Sequence, residues 1–132
     1  MQSEHRFVVG IDLGTTNSSI AYVALQSADN DRPTIQKFPV PQLTGPGEFA
    51  PLPVLPSFLY IPGQYDIADS DMAAPWTIDQ RSREDRNFVG AFARDYGANV
   101  PARLVSSAKS WLCNRQVDTE ARILPWGAGD EV

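Results

Sequence analysis

The chain has 132 residues, 42% of them hydrophobic and 10% aromatic, which is enough for one domain with its own core. Its net charge of −5, with no block of basic residues, argues against partners such as nucleic acid or an anionic membrane surface. A single cysteine, Cys113, excludes an internal disulfide bond, and neither a membrane-length apolar run nor a signal peptide is visible, so we expect a cytoplasmic protein.

The first predicted element is a β-hairpin. Residues 7–13 form a short apolar run rich in β-branched side chains, which predicts a strand buried on both faces. Residues 14–17 (Gly-Thr-Thr-Asn) predict a tight polar turn, and residues 18–25 predict the returning strand. Within the first strand, the carboxylate of Asp12 would be costly to bury unless it is paired, hydrogen-bonded or close to a cation.

The predicted turn has the composition of a phosphate-binding loop. Gly14 lets the backbone approach a ligand closely and adopt positive φ at little steric cost. Successive turn N–H groups can form an anion-binding concavity, and the side chains of Thr15, Thr16 and Asn17 add polar groups. Asp12 would then hold a hydrated Mg²⁺, which keeps several waters and takes one or two carboxylates. The alternative is a structural hairpin in which Asp12 only hydrogen-bonds the turn.

The middle of the chain predicts strands and loops. Residues 34–40 predict a third strand, which extends the hairpin into an antiparallel meander. Residues 41–56 are rich in proline and glycine and predict an extended loop with a few packing groups. Residues 56–61 predict another strand. Residues 62–86, which contain several acidic and turn-forming residues, predict a solvated loop.

Two helices are predicted in the last third. Apolar residues at 88, 89, 92, 93 and 96 have helical spacing, with Gly97 as a natural C-cap. Residues 104–113 predict a second helix with an apolar face, and Lys109 lies at the edge of that face. A lysine in this position is more often a solvated charge than a ligand contact.

Residues 10–18 (Gly-Ile-Asp-Leu-Gly-Thr-Thr-Asn-Ser) resemble the first phosphate motif of the DnaK-type seventy-kilodalton heat-shock chaperones. These chaperones belong to the actin-like ATPase superfamily, whose sugar kinases open with a similar Asp-x-Gly-Thr-Thr. Those kinases usually continue with a serine and a basic residue. Here Asn17, Ser18 and Ser19 follow the threonines, which favours the chaperone branch.

Three later segments resemble the same family in the same order. Pro56 and Ser57 begin a Pro-Ser strand, residues 88–97 are similar to its Val-Gly-x-x-Ala helix, and Ala108 with Lys109 is similar to its Ala-Lys-Arg-x-Ile-Gly segment. The chain lacks the Arg-Thr-Thr that usually precedes the strand, and it lacks the arginine and glycine after the lysine. These departures indicate a divergent relative.

The resemblance implies an α/β fold, an actin-like ATPase (ribonuclease H-like) lobe. Residues 1–40 would form the first phosphate-loop meander, and residues 41–132 part of a second, smaller α/β subdomain. We therefore expect the N-terminal part of the ATPase (nucleotide-binding) domain of a longer chaperone, because the second phosphate loop and the adenosine-binding motif are not in these residues.

The resemblance also implies the ligands and the residues that bind them. Mg²⁺ with ATP or ADP would bind at the hairpin, where Asp12 organises the hydrated Mg²⁺. Lys109 would stabilise charge on the transferred phosphoryl group, so that Lys109 and Asp12 are the expected catalytic residues. The phosphates would contact the turn through Gly14, Thr15, Thr16 and Asn17.

The intact protein would hydrolyse ATP, with unfolded client peptides and co-chaperones as partners, whereas the 132-residue chain alone would be inactive. Three alternatives stay open. They are a sugar or carboxylate kinase of the same superfamily, a non-hydrolysing adaptor, and an interaction module that uses the Pro-rich segment 41–56.

Overall fold

A computed structural model describes residues 6–25, 34–63, 67, 87–118, 120, 121 and 123–125. The described part is a mixed α/β structure whose strands pair only in antiparallel fashion, in three small sheets. The elements in chain order are β1 (Phe7–Leu13), β2 (Asn17–Ala24), β3 (Gln36–Phe38), β4 (Val40–Gly45), β5 (Glu48–Leu52), β6 (Leu55–Pro56), β7 (Phe58–Tyr60), β8 (Phe88–Val89), α1 (Ala91–Gly97), β9 (Leu104–Ser106) and α2 (Ala108–Trp111).

The first sheet is the predicted meander. Strands β1 and β2 form the hairpin, with Val9 opposite Tyr22, and β3 lies on the other side of β2. The third strand is shorter than predicted, because β3 covers Gln36–Phe38 while Val40 already belongs to β4. The two-residue strand β6 also pairs with β2, with Asn17 opposite Pro56. This pairing places the start of the Pro-Ser segment beside the hairpin turn.

The predicted burial of β1 on both faces is wrong. All seven residues of β1 are exposed, and Ile11 and Leu13 expose 62% and 66% of their surface. Among the described strands, β1 has a neighbour only on its β2 side, and α1 packs on β4, β6, β7, β8 and β9 instead. An apolar run indicates that a strand is suited to burial. Burial also requires another element packed over the strand, and no element of the described residues packs over β1 in this way.

The Pro-rich segment is a second hairpin rather than the predicted loop. Strands β4 and β5 are joined at Gly45–Gly47, where Gly47 has a φ of 69°, a left-handed conformation that glycine adopts without strain. Pro41 and Pro51 lie opposite each other in this ribbon. A two-stranded ribbon has two outer edges. A proline whose nitrogen faces an outer edge removes no hydrogen bond from the ladder.

The two predicted helices are both shorter than the pattern suggested. Phe88 and Val89 pair with β7 as β8, so α1 begins at Ala91, and Ala98 rather than Gly97 is its C-cap residue. Leu104–Ser106 pair with β7 as β9, and only one helical turn, α2, follows. An isolated ten-residue helix is marginal in water, so pairing with β7 decides the conformation of these apolar residues.

The core lies between α1 and the second and third sheets. Aromatic rings dominate it, and the Phe88 and Phe92 ring centroids are 5.0 Å apart in an edge-to-face arrangement. Tyr60, in the central strand β7, is fully buried. The buried residues of the cluster are Leu43, Tyr60, Ile67, Phe88, Phe92 and Ala93. Of the predicted solvated loop 62–86, residues 62, 63 and 67 are described and the rest lies outside the described residues; Ile67 is buried in this cluster.

One buried polar side chain joins α1 to the second sheet. Gln42 is 3% exposed, and its Oε1 accepts a hydrogen bond of 2.9 Å from the first helical N–H, that of Ala91. Its Nε2 donates to the Val54 carbonyl at 2.9 Å. The preceding Gly90 has a φ of 82°, and a Cβ there would lie 2.5 Å from the Gln42 Oε1. Gln42 therefore satisfies an N-terminal donor of α1 from outside the helix.

We expect Gln42→Leu to lower the free energy of unfolding by about 1–3 kcal/mol, because the Ala91 N–H and the Val54 carbonyl would lose their buried partner. Chemical denaturation measures this change. The exposed Gln116→Leu is the matched control and should stay within about 0.5 kcal/mol of the wild type. Equal effects of the two substitutions would show that Gln42 has no special role.

Candidate functional site

The turn between β1 and β2 is the candidate site predicted from the sequence. Thr15, Thr16 and Asn17 are exposed, and Gly14 is partly buried. A Cβ at Gly14 would lie 2.2 Å from the carbonyl oxygen of Asn17, so no side chain fits there unless the backbone moves. Gly14 does not have the positive φ that the sequence suggested. Glycine is required instead by the close approach of the two ends of the turn.

Lys109 lies at this turn, although 96 residues separate it from β1 in sequence. Its Nζ donates a hydrogen bond of 2.5 Å to the carbonyl oxygen of Leu13, the last residue of β1. Two local features position it. Ser106 pairs with Phe58 in the third sheet, and Ser107 then takes a left-handed conformation with a φ of 52° immediately before α2.

The Leu13 carbonyl is available because it faces the outer edge of the sheet. The Leu25 N–H donates to the Arg6 carbonyl at 2.9 Å. This hydrogen bond shows which residues of β1 direct their backbone groups towards β2. Because antiparallel pairs alternate, residues 8, 10 and 12 direct their backbone groups towards β2. The odd-numbered residues, including Leu13, direct theirs outwards. An ammonium group carries three donors, and the Leu13 carbonyl takes one of those of Lys109.

Asp12 lies next to this contact, in β1 opposite Ser19. Its carboxylate is exposed and therefore accessible to a hydrated cation. No group of three or more acidic, histidine or cysteine side chains in the described part of the chain could hold a metal ion directly. A single carboxylate nevertheless suits Mg²⁺, which usually keeps several of its waters. The residues present thus fit a water-mediated Mg²⁺ site better than a direct one.

The structure adds a residue that the sequence analysis missed as a site residue. Ser57, between β6 and β7, donates from its Oγ to the Gly14 carbonyl at 2.9 Å. Its backbone N–H donates to the Thr16 carbonyl at 2.8 Å. In the sequence Ser57 marked only the beginning of a strand. No spacing pattern links it to a turn 43 residues earlier, because the pairing of β6 with β2 brings them together.

The site thus combines three segments: the β1–β2 turn with Asp12, Ser57, and Lys109. Comparison of the chain with family models, with curated proteins and with solved structures found no match. None of the helices in the described ranges is long and apolar enough to cross a lipid bilayer.

Proposed function

We propose that this chain is the N-terminal part of the ATPase domain of a divergent DnaK-like chaperone, in an actin-like lobe that binds MgATP. The observation that carries the proposal is the hydrogen bond from the Lys109 Nζ to the Leu13 carbonyl. It joins the two segments to which the resemblance assigns phosphate binding and charge stabilisation.

The chemistry proposed for the site is transfer of the terminal phosphoryl group of ATP to water. Backbone N–H groups and hydroxyls of the turn, at Thr15 and Thr16, would hold phosphate oxygens, and Asn17 would add its side-chain amide. Asp12 would hold Mg²⁺ through water, and the metal would supply charge neutralisation on the phosphates. Lys109 would place a cation where negative charge develops.

The accessibility of these groups supports the proposal. Thr15, Thr16, Asn17 and Lys109 are all exposed, so a ligand can reach them without a rearrangement of the described core. Within the described ranges, no residue accepts a hydrogen bond from the amide N–H of Thr15 or of Thr16. Two N–H donors without a partner in the described ranges, on exposed residues that also carry hydroxyls, are suited to an anion beside an ammonium group.

The wider assignment follows the same family. Residues 1–40 would be the phosphate-loop meander and residues 41–132 part of the second subdomain. The longer protein would be cytoplasmic and would couple hydrolysis to the binding of unfolded client peptides, with co-chaperones as partners. ATP and ADP would be its nucleotides.

The isolated 132-residue chain should bind MgATP weakly and should not turn it over. These residues supply one phosphate motif and no adenosine-binding motif, so most of the contacts to a nucleotide would be missing. The measurement is phosphate release from purified chain, with Asp12→Asn as the background control. Release clearly above that control would show that the site is more complete than proposed.

A non-hydrolysing member of the same superfamily is the second candidate. The observation that favours it is the same hydrogen bond, because Lys109 also caps the last outward carbonyl of an edge strand, which is a structural role. An interaction module based on the Pro-rich segment receives less support. That segment pairs in β4, β5 and β6, and Pro56 is buried.

A further inference from the structure

Ser57 fixes the direction of two peptide groups in the turn. Its Oγ–H holds the Gly14 carbonyl and its N–H holds the Thr16 carbonyl, at 2.9 and 2.8 Å. Both carbonyls therefore point towards the junction of β6 and β7. Two donors of one residue thus bind a turn of only four residues, from Gly14 to Asn17.

The N–H groups of Thr15 and Asn17 face the other way as a consequence. The described peptide bonds are trans except that between Leu124 and Pro125. In a planar trans peptide, the carbonyl and the following N–H point in opposite directions. With the Gly14 carbonyl held by Ser57, the Thr15 N–H points away from Ser57, and the same holds for Asn17 N–H after the Thr16 carbonyl.

A turn that contains glycine has an alternative that would spoil an anion site. Gly14 lacks a Cβ, so rotation of the Gly14–Thr15 peptide meets less steric resistance than elsewhere. Such a rotation would exchange the positions of the Gly14 carbonyl and the Thr15 N–H, and would present a partial negative charge where a donor had been. The hydrogen bond from the Ser57 hydroxyl opposes this rotation.

The backbone on both sides of Ser57 is held in place by strand pairing. Pro56, directly before it, is buried and has a fixed φ, and it pairs with Asn17 at the start of β2. Phe58, directly after it, is paired with Ser106 in the third sheet. The hydroxyl therefore projects from a short connection that is anchored on both sides.

We propose that Ser57 is a positioning residue which holds the Thr15 amide in the orientation that binds phosphate, a role that rests on the proposed function. Ser57 itself need not touch the nucleotide. Its hydroxyl acts on the Gly14–Thr15 peptide, and its backbone N–H acts on the Thr16–Asn17 peptide. The two actions can be separated by mutation, because Ser57→Ala removes only the first.

The test is a titration of ¹⁵N-labelled 132-residue chain with MgATP, followed by NMR, for the wild type and three variants. Ser57→Ala removes the hydroxyl and Ser57→Thr restores one. Thr44→Val is the control, because it removes a hydroxyl that donates to the Glu48 carbonyl in the second sheet. We expect Ser57→Ala to shift or broaden the Thr15 amide signal while the Asn17 amide stays near its wild-type position. The dissociation constant for MgATP should rise about tenfold in Ser57→Ala. It should return towards the wild-type value in Ser57→Thr and stay unchanged in Thr44→Val.

Three results would overturn the proposal, and they differ. If wild-type chain shows no MgATP-dependent shift at Thr15 or Thr16, the phosphate site fails and the role of Ser57 fails with it. If the wild type binds and Ser57→Ala binds equally well, only the positioning role is lost. A general loss of structure in Ser57→Ala would disturb Asn17 and the core as much as Thr15, which would contradict a local effect on one peptide group.

Discussion

We expect Lys109→Ala, in the intact protein, to lower the rate of ATP hydrolysis about 10²–10³-fold while the affinity for MgATP changes little. A cation that meets the terminal phosphoryl group mainly as charge develops stabilises the transition state more than the bound substrate. Loss of one preorganised electrostatic donor typically costs about 3–4 kcal/mol of transition-state stabilisation. Single-turnover hydrolysis of prebound ATP measures the chemical step without a contribution from product release.

Two further variants make this experiment specific. Lys109→Arg should not restore the rate, because a planar guanidinium does not occupy the position of a compact ammonium. Lys37→Ala is the matched control, since Lys37 is exposed on β3, and its rate should equal that of the wild type. A wild-type rate in Lys109→Ala would leave Lys109 with only its structural contact to Leu13.

Stability has to be measured beside activity, because Lys109 is bonded to the backbone of β1. Loss of the Lys109–Leu13 hydrogen bond removes one contact to a charged group at an exposed position. Such a loss lowers the free energy of unfolding by at most about 3 kcal/mol. A variant that remains folded and binds MgATP, yet hydrolyses it slowly, separates a catalytic role from a structural one.

Gly14→Ala should weaken MgATP binding at least about tenfold, although it adds one methyl group. That methyl would lie 2.2 Å from the Asn17 carbonyl oxygen, so the turn has to open and its N–H groups have to move. Strain of this kind costs about 1–3 kcal/mol. Gly14→Val should have a larger effect, because its branched side chain adds more atoms at the same place.

The chain offers a close control for this substitution. Gly10, in the middle of β1, has only the Ala21 carbonyl oxygen near its added Cβ, at 4.0 Å. Gly10→Ala should therefore bind MgATP as the wild type does. Isothermal titration of the intact protein measures both variants, and unchanged affinity in a folded Gly14→Ala would mean that the turn does not bind the phosphates.

Local patterns in the sequence were enough to predict the hairpin and its turn. Short-range signals determine these features, namely an apolar β-branched run, a Gly-Thr-Thr-Asn tip and a second β-favouring run. The same kind of signal misled at Leu104 and Val105. Their spacing suits a helix, but pairing with Leu59 and Tyr60 from a distant strand decides their conformation.

The parts of the site that depend on distant contacts could not be derived from sequence patterns. The apolar spacing alone predicts only that Lys109 lies at the edge of a helix face. The resemblance implies that it meets the phosphates bound at the turn, and in the structure its Nζ contacts Leu13 beside that turn. Ser57 had no recognisable signal as a site residue, since its contacts with the turn arise from the pairing of Pro56 with Asn17. The exposure of β1 could not be predicted, because an apolar sequence does not show whether another element packs over the strand.

The most direct test of the proposed site is a crystal structure of the intact protein with Mg²⁺ and a non-hydrolysable ATP analogue. We expect phosphate oxygens within hydrogen-bonding distance, about 2.7–3.2 Å, of the N–H groups of Thr15 and Thr16. We also expect the Lys109 Nζ near the terminal phosphate, and Asp12 bound to Mg²⁺ through water. A nucleotide bound elsewhere, with the turn and Lys109 unchanged from their contacts here, would contradict the proposed function.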